Sequence, residues 1–171
     1  MIENHKEINP LEINESIFKL IGTDWMLLSA GTPQKYNMMT ASWGNCGILW
    51  NKPIATVFIR PQRYTFGFAE EHDFFTLSFF DEKHRDMLQV MGSRSGRDIS
   101  KMQYPGLDAF ATPSGSVAFK QARLILECKK LYADDIKPGH FIDPSIEKHY
   151  PRQDYHRFYI GEILTAMRFF D

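Results

Sequence analysis

The segment Arg60-Pro-Gln-Arg-Tyr-Thr65 places two guanidinium groups, an amide and a hydroxyl within six residues. A phosphate is held by such groups, and best where backbone N–H donors of a helix start join them. Pro61 ends the strand before it and the helical spacing starts at Tyr64, so Arg60, Gln62, Arg63 and Thr65 fall at a strand-to-helix joint whose dipole favours an anion. A solvated turn with surface arginines has the same composition, and the segment alone does not separate the two readings. A second basic loop, Gly92-Ser-Arg-Ser-Gly-Arg-Asp98, is not a Walker loop: three residues separate its glycines and Arg97-Asp98 follows where Lys and Ser or Thr are needed. No G-x-G-x-x-G follows a strand, so a nicotinamide cofactor, if used, visits rather than resides.

Asn37-Met-Met-Thr-Ala-Ser-Trp43 is an unusual strand, with hydroxyls at Thr40 and Ser42, a small residue between them and an aromatic at its end. Alternate residues share a face, so both hydroxyls are expected on one side, able to bond a polar ring edge or a polyol chain. An ordinary hairpin strand with a wet polar face fits equally well. His140, Asp143, Glu147, His149 and His156 crowd one region, but their spacing matches no metal-ligand pattern, and no metal is expected. Cys46 has no resolving partner nearby, and Met38, Met39, Met87, Met91 and Met102 read as core filler.

The elements that position these residues are mostly strands. Leu11–Leu20 has a short amphipathic helical pattern inside an N-terminal extension over 1–23, and Trp25–Ala30, a turn over Gly31–Tyr36 and Asn37–Trp43 form a hairpin. Gly44 and Gly47 loosen the stretch after Trp43. Ile54–Ile59 is a β-branched strand, Tyr64–Glu71 a helix, Phe74–Phe80 a strand, and Asp81 is placed to cap a helix that Gly92 stops after Met91. A short helix is expected near Ile99–Tyr104. Ser116–Gln121, Ala122–Leu131 and Tyr155–Met167 are extended, with a proline-rich excursion over Pro138–Pro151. Without sustained strand–helix alternation the expected fold is mainly β, an antiparallel barrel with peripheral helices.

With 171 residues the chain fits one domain, and 43% hydrophobic and 14% aromatic content argue for a packed core. Twenty basic and 21 acidic residues leave a net charge of −1, so no global field draws nucleic acid or an anionic membrane, and any anion must be bound locally. The polar start, Met1-Ile-Glu-Asn-His-Lys-Glu, lacks a signal-type apolar stretch, no later run has membrane-spanning length, and the two cysteines stand far apart. These features read as cytoplasmic, with neither nucleic acid nor membrane as partner.

In chain order, Asn37-Met-Met-Thr-Ala-Ser-Trp, Leu49-Trp-Asn-Lys-Pro, Phe58-Ile-Arg-Pro-Gln-Arg-Tyr-Thr, Phe75-Thr-Leu-Ser-Phe-Phe, Gly92–Asp98 and His156-Arg-Phe-Tyr-Ile-Gly-Glu together resemble the flavin reductase family of the FMN-binding split barrel, and its flavoredoxin-like branch in particular. The resemblance runs from about Asp24 to the carboxyl end. It implies a split β-barrel homodimer with FMN near the subunit interface and NADH or NADPH as a transient donor. It implies that Asn37 and Met39, Thr40, Ala41, Ser42 and Trp43 meet the ring and ribityl chain. Arg63, Tyr64 and Thr65 would meet the phosphate side, with Ser95, Gly96 and Arg97 as further candidates. His156 matches a histidine that relatives carry after Gly-Asp near the nicotinamide; here Asp154-Tyr155 precedes it. The implied activity is a flavin reductase passing electrons to free flavin, a partner protein or a small acceptor. The alternatives are an electron-transfer flavoprotein without its own nicotinamide reaction, and a barrel that binds haem or another planar ligand.

Overall fold

The computed structural model describes residues 5–170; the reading of the first residues, Met1 to Asn4, lies outside them. In chain order the strands are β1 (His5–Ile8), β2 (Met26–Thr32), β3 (Lys35–Ala41), β4 (Gly44–Leu49), β5 (Lys52–Ile59), β6 (Phe74–Phe79), β7 (Ala109–Ala111), β8 (Val117–Phe119), β9 (Leu124–Asp135) and β10 (Arg157–Phe169). The helices are α1 (Tyr64–Glu71), after β5, and α2 (Arg85–Ser93), after β6. Every strand pair is antiparallel, and the large sheet runs β3-β2-β6-β9-β10-β5-β4 with β1 beside β10.

β10 explains how the sheet becomes a split barrel. Its first half pairs with β5 (Arg157–Glu162) and its last residues pair with β1 (Ala166–Phe169) on the same side, while β9 runs along the other. Register shifts between Ile160 and Gly161 and between Ile163 and Thr165 bend it, as bulges do. Gly161 is required at the bend, because a Cβ there would lie 2.7 Å from the Phe75 ring and 2.9 Å from Cys128 Cβ. Side chains alternating inward from β2, β5, β6, β9 and β10, among them Leu28, Val57, Leu77, Leu126 and Tyr159, fill the barrel. A second core, with Leu27, Met38, Leu88, Met91, Phe119 and Ile125, lies on the outer face of the sheet beneath α2 and the β7–β8 hairpin.

The α1 boundaries and the β6 start agree with the sequence pattern, and several expectations change. The helix expected over Leu11–Leu20 is a 3-10 turn at Pro10–Glu12, followed by helical turns that become π-helical over Lys19–Asp24. Arg123 fixes that segment by pairing with Glu15 and with Asp24 (2.9 Å). The loosened stretch at Gly44–Leu49 is a strand, β4, because Trp50 and Asn51 take left-handed conformations (φ 52° and 57°) that turn it directly onto β5. Asp81 makes no side-chain cap, and a 3-10 turn at Glu82–His84 precedes α2. Gly92 does not stop α2, which runs to Ser93. Its missing side chain lets α2 approach β3: a Cβ would sit 3.2 Å from Thr40 Cβ. The helix near Ile99–Tyr104 shortens to a 3-10 turn, Lys101–Gln103.

Candidate functional site

α1 begins where β5 leaves the barrel, and its first turn faces the end of α2 and the loop after it. Two cavities meet there. The smaller, of about 110 Å³, is lined by Asn37, Gln62, Arg63, Tyr64, Thr65, Ser93, Arg94, Ser95, Gly96 and Lys101. The larger, of about 280 Å³, is lined by Met39, Thr40, Ala41, Ser42, Trp43, Phe58, Arg60, Arg63 and His156. Arg63 belongs to both. Of the residues expected at a site only Arg97 lines neither cavity; its guanidinium lies 4.9 Å over the Tyr64 ring and donates to the Gln62 carbonyl at 3.1 Å.

The smaller cavity is held by polar contacts between segments distant in sequence. The Asn37 amide, buried in β3, lies 2.8 Å from the Thr65 hydroxyl in the first turn of α1. Arg63 donates to the Gly92 carbonyl at 2.9 Å, tying the start of α1 to the end of α2. Lys101, 4% exposed, donates to the carbonyls of Met38 (2.8 Å) and Met91 (2.7 Å). Burial, reinforced by the Arg63 charge, brings its ammonium down to about 8. Burial likewise lowers Arg63. Among the described residues the partners of Arg63 and Lys101 are carbonyl oxygens, with no carboxylate paired to either. Two positive groups, hydroxyls and the N–H groups of a helix start therefore converge without a counter-charge, which is the donor set of an anion site.

Lys101 escaped the sequence reading. It sits in a short polar turn with no motif around it, and only the packing of β3 against α2 makes it central.

The larger cavity is aromatic and more open. Trp43, 44% exposed, lies beyond the end of β3, with its ring 5.1 Å from His156 and 5.6 Å from His149. Phe58 approaches His156 at 6.3 Å. His156 is 7% exposed, its Nδ1 is 2.9 Å from the Tyr150 hydroxyl, and burial together with the Arg60 charge lowers it to about 4. It is a neutral imidazole at physiological pH. Ala41 and Met39 point into the barrel core, which leaves the backbone of that strand end facing the cavity.

Two expected contacts change. The Thr40 hydroxyl donates to the Leu88 carbonyl of α2 at 2.5 Å, so its proton joins β3 to α2 and its oxygen is left only as an acceptor. Ser42 lies past the strand end and does not extend a two-hydroxyl face. Arg60 lines the aromatic cavity and not the anion-type one. It pairs with Asp154 (2.7 Å), donates to the His149 carbonyl (2.8 Å) and lies 5.0 Å over the Tyr150 ring. Gln62 bonds Asp154 as well. Arg60 and Gln62 thus fasten the 149–156 segment beside the cavity. Asp154, one of the departures from the Gly-Asp pattern, is the residue they hold. Cys46 lies apart, against the N-terminal segment, with its thiol pushed up to about 11 by burial. Among the described residues no cluster of three or more His, Cys, Asp or Glu could hold a metal, and no helix is long and apolar enough to cross a membrane.

Solved structures share this fold. An FMN-binding domain of a flavin reductases-like enzyme from Shewanella baltica OS155 matches at 18% identity with a TM-score of 0.69, over 96% of this chain and 77% of that one. Flavoredoxin from Methanosarcina acetivorans matches at 22% identity and 0.65, over 84% of this chain and 67% of that one. The NADH:FAD oxidoreductase of Streptomyces globisporus C-1027, in complex with NAD and FAD fragments, matches at 16% identity and 0.64, over 86% and 75%. No curated protein sequence matches the chain. The family model for the flavin reductase like domain matches residues 18–167, from the helical turns before β2 to the far end of β10, and the chain belongs to that family.

Proposed function

We propose that this protein is an FMN-binding oxidoreductase in which Asn37 and Met39–Trp43 flank the flavin ring and ribityl chain and the smaller cavity takes the phosphate. The observation that carries the reading is the junction of the two cavities at Arg63: an uncompensated cationic pocket opens beside an aromatic one, the shape of a planar ligand with a phosphorylated tail. The donor set fits that group. Arg63, Lys101, the Thr65 hydroxyl, the first N–H groups of α1 and the Ser93–Gly96 loop would grip the phosphate. Bound FMN would supply the redox chemistry, accepting hydride from NADH or NADPH and passing electrons to free flavin, a partner protein or a small acceptor.

The chain's own part is positioning. Trp43 and Phe58 wall the ring side, and neutral His156, oriented by Tyr150, stands where a second planar ring would approach. Because its charge is suppressed, His156 can orient a nicotinamide amide by hydrogen bonding without repelling a cationic ring. Beside this cavity Phe158 packs against both Phe58 and Tyr132 (6.0 and 6.1 Å), with Tyr132 half-exposed, and this aromatic face supports a homodimer with the flavin near the interface. A second reading, an electron carrier reduced only by a partner protein, is favoured by the Asp154 clamp, which holds the 149–156 segment against the nicotinamide side.

Purified protein should show oxidised-flavin bands as isolated or after adding FMN. Anaerobic mixing with NADH or NADPH should bleach them. Protein that takes up no FMN overturns the flavin reading. Flavin that stays oxidised with both donors but bleaches with a partner reductase selects the carrier.

A further inference from the structure

Away from the candidate flavin site, one buried acidic group has no counter-charge. Glu127 on β9 is 1% exposed; its partners among the described residues are the Ser114 N–H (3.1 Å) and the Ser114 hydroxyl, both at Oε1, and no basic group is paired with it. A carboxylate removed this far from water calls for a cation or for more donors than one serine supplies. Its cross-strand neighbours are hydroxyls, Thr76 of β6 on one side and Thr165 of β10 on the other. Opposed residues of antiparallel strands share a face, with Cβ atoms about 5 Å apart. Thr76 is committed elsewhere, donating to the Val117 carbonyl at 2.5 Å.

Thr165 forms part of the floor of a cleft of about 530 Å³ between β1 and the β7–β8 hairpin. Thr112, 4% exposed, lines this cleft from the hairpin two residues before Ser114, and its hydroxyl has no partner. His5 lines it from β1. The His5 Nε2 donates to the Ala122 carbonyl at 2.7 Å, and its Nδ1, buried without a partner, is an acceptor in the neutral ring. The other walls are apolar, with Met167 on the floor and Phe110 standing 6.2 Å from the His5 ring. Glu7 adds a second acid at the rim, while the Lys6 ammonium is drawn off over the Phe170 ring at 5.6 Å. Buried acceptors, an unpaired carboxylate beside the floor and apolar sides therefore meet in one place.

A protonated amine matches that set. An ammonium brings one positive charge and three donors and accepts nothing, and an aromatic wall favours a cation. An anion would meet the Glu127 charge, and a hydrocarbon would leave Thr112 and His5 unpartnered. We propose that the cleft between β1 and the β7–β8 hairpin binds a small primary amine with an apolar body, its ammonium held by the Thr112 and Thr165 hydroxyls beside the Glu127 carboxylate. The site stands independently of the flavin reading.

The test is NMR titration of the full chain at neutral pH with benzylamine and with benzyl alcohol, its uncharged counterpart, following the backbone amides of Thr112, Ser114 and Thr165. Benzylamine is expected to shift these signals and to bind at least about tenfold more tightly than the alcohol. Glu127→Gln keeps an oxygen for Ser114 and removes the charge, so it should bring the two probes within about threefold of each other. Thr112→Val, which leaves Glu127 and Ser114 untouched, should weaken benzylamine several-fold, with the amide spectrum elsewhere unchanged as the check of folding. Equal affinity for the two probes overturns the proposal, as does an amine preference that survives both substitutions. Benzylamine that shifts no signal, or only signals around Trp43, overturns it too.

Discussion

The two ends of the candidate site are built by opposite means. At the cationic end, four segments (β3, the start of α1, the end of α2 and the Lys101 turn) are locked together by buried and part-buried hydrogen bonds, and the charged groups placed there are cations. At the ring end the walls are half-exposed aromatics, and one stretch of chain, 149–156, is fastened beside them by Arg60 and Gln62 through Asp154. A preorganised charged pocket suits tight, permanent binding of a tail, since its ordering cost is met by the fold. An aromatic opening edged by a clamped segment suits a visitor that must leave again. The contrast predicts that affinity is set at one end and turnover at the other.

The largest expected effects test the affinity end. Arg63→Ala and Lys101→Met should each weaken FMN binding by roughly 1.5–3 kcal/mol, the range for a hydrogen bond to a charged group, read by titration of the flavin-free protein. Lys101→Met also leaves the Met38 and Met91 carbonyls without that donor, so its unfolding midpoint should fall while that of Arg63→Ala changes less. An unchanged FMN dissociation constant in both variants would dissolve the comparison.

Next in size is a pH effect. Burial and Arg63 hold the Lys101 ammonium down to about 8 in the flavin-free protein, whereas a bound dianion favours the charged form and raises it. FMN binding must then take up a proton above pH 8, so affinity should decline there, by at most about tenfold per pH unit for one proton. Below pH 8 Lys101 is already charged and this contribution is fully present. His156, lowered to about 4, stays neutral across that window. Titrations between pH 7 and 10 should show the decline in the parent protein, and Lys101→Met should flatten it.

The smallest effect on affinity should come from the clamp. Arg60→Ala removes the contacts to Asp154, the His149 carbonyl and Tyr150, yet FMN affinity should stay within about threefold while the rate of flavin reduction by NADH or NADPH changes. A tenfold loss of affinity would return Arg60 to the phosphate grip.

Legibility in the sequence divides along the same line. The joint at Arg60–Thr65 is legible because its chemistry is contiguous: a proline-ended strand and a helix start, with polar groups packed into six residues. Fold class and α1 are legible through periodicity. β4 is hidden because its glycines lower intrinsic strand preference and only pairing with β5 supplies it. β1 is four residues of mostly exposed polar chain, and its partner lies at the far end of the sequence. Lys101 and the turning of the Thr40 hydroxyl toward α2 depend on how β3 and α2 dock, which no local pattern encodes. Arg60 is the instructive case. Its type predicts an anion partner correctly, but that partner is Asp154 of the same chain.

The carbonyl partners of Arg63 and Lys101 have a consequence for the flavin-free protein. Two partly desolvated cations side by side repel each other, and among the described residues neither has a carboxylate to offset the repulsion, which takes back part of what their hydrogen bonds contribute to the fold. Any anion small enough to enter stabilises the native state by RT ln(1 + [L]/Kd). If the pocket takes an anion as proposed, the thermal stability of the flavin-free chain should rise with the phosphate or sulfate in its buffer, which makes the cationic end of the site a part of the folding equilibrium.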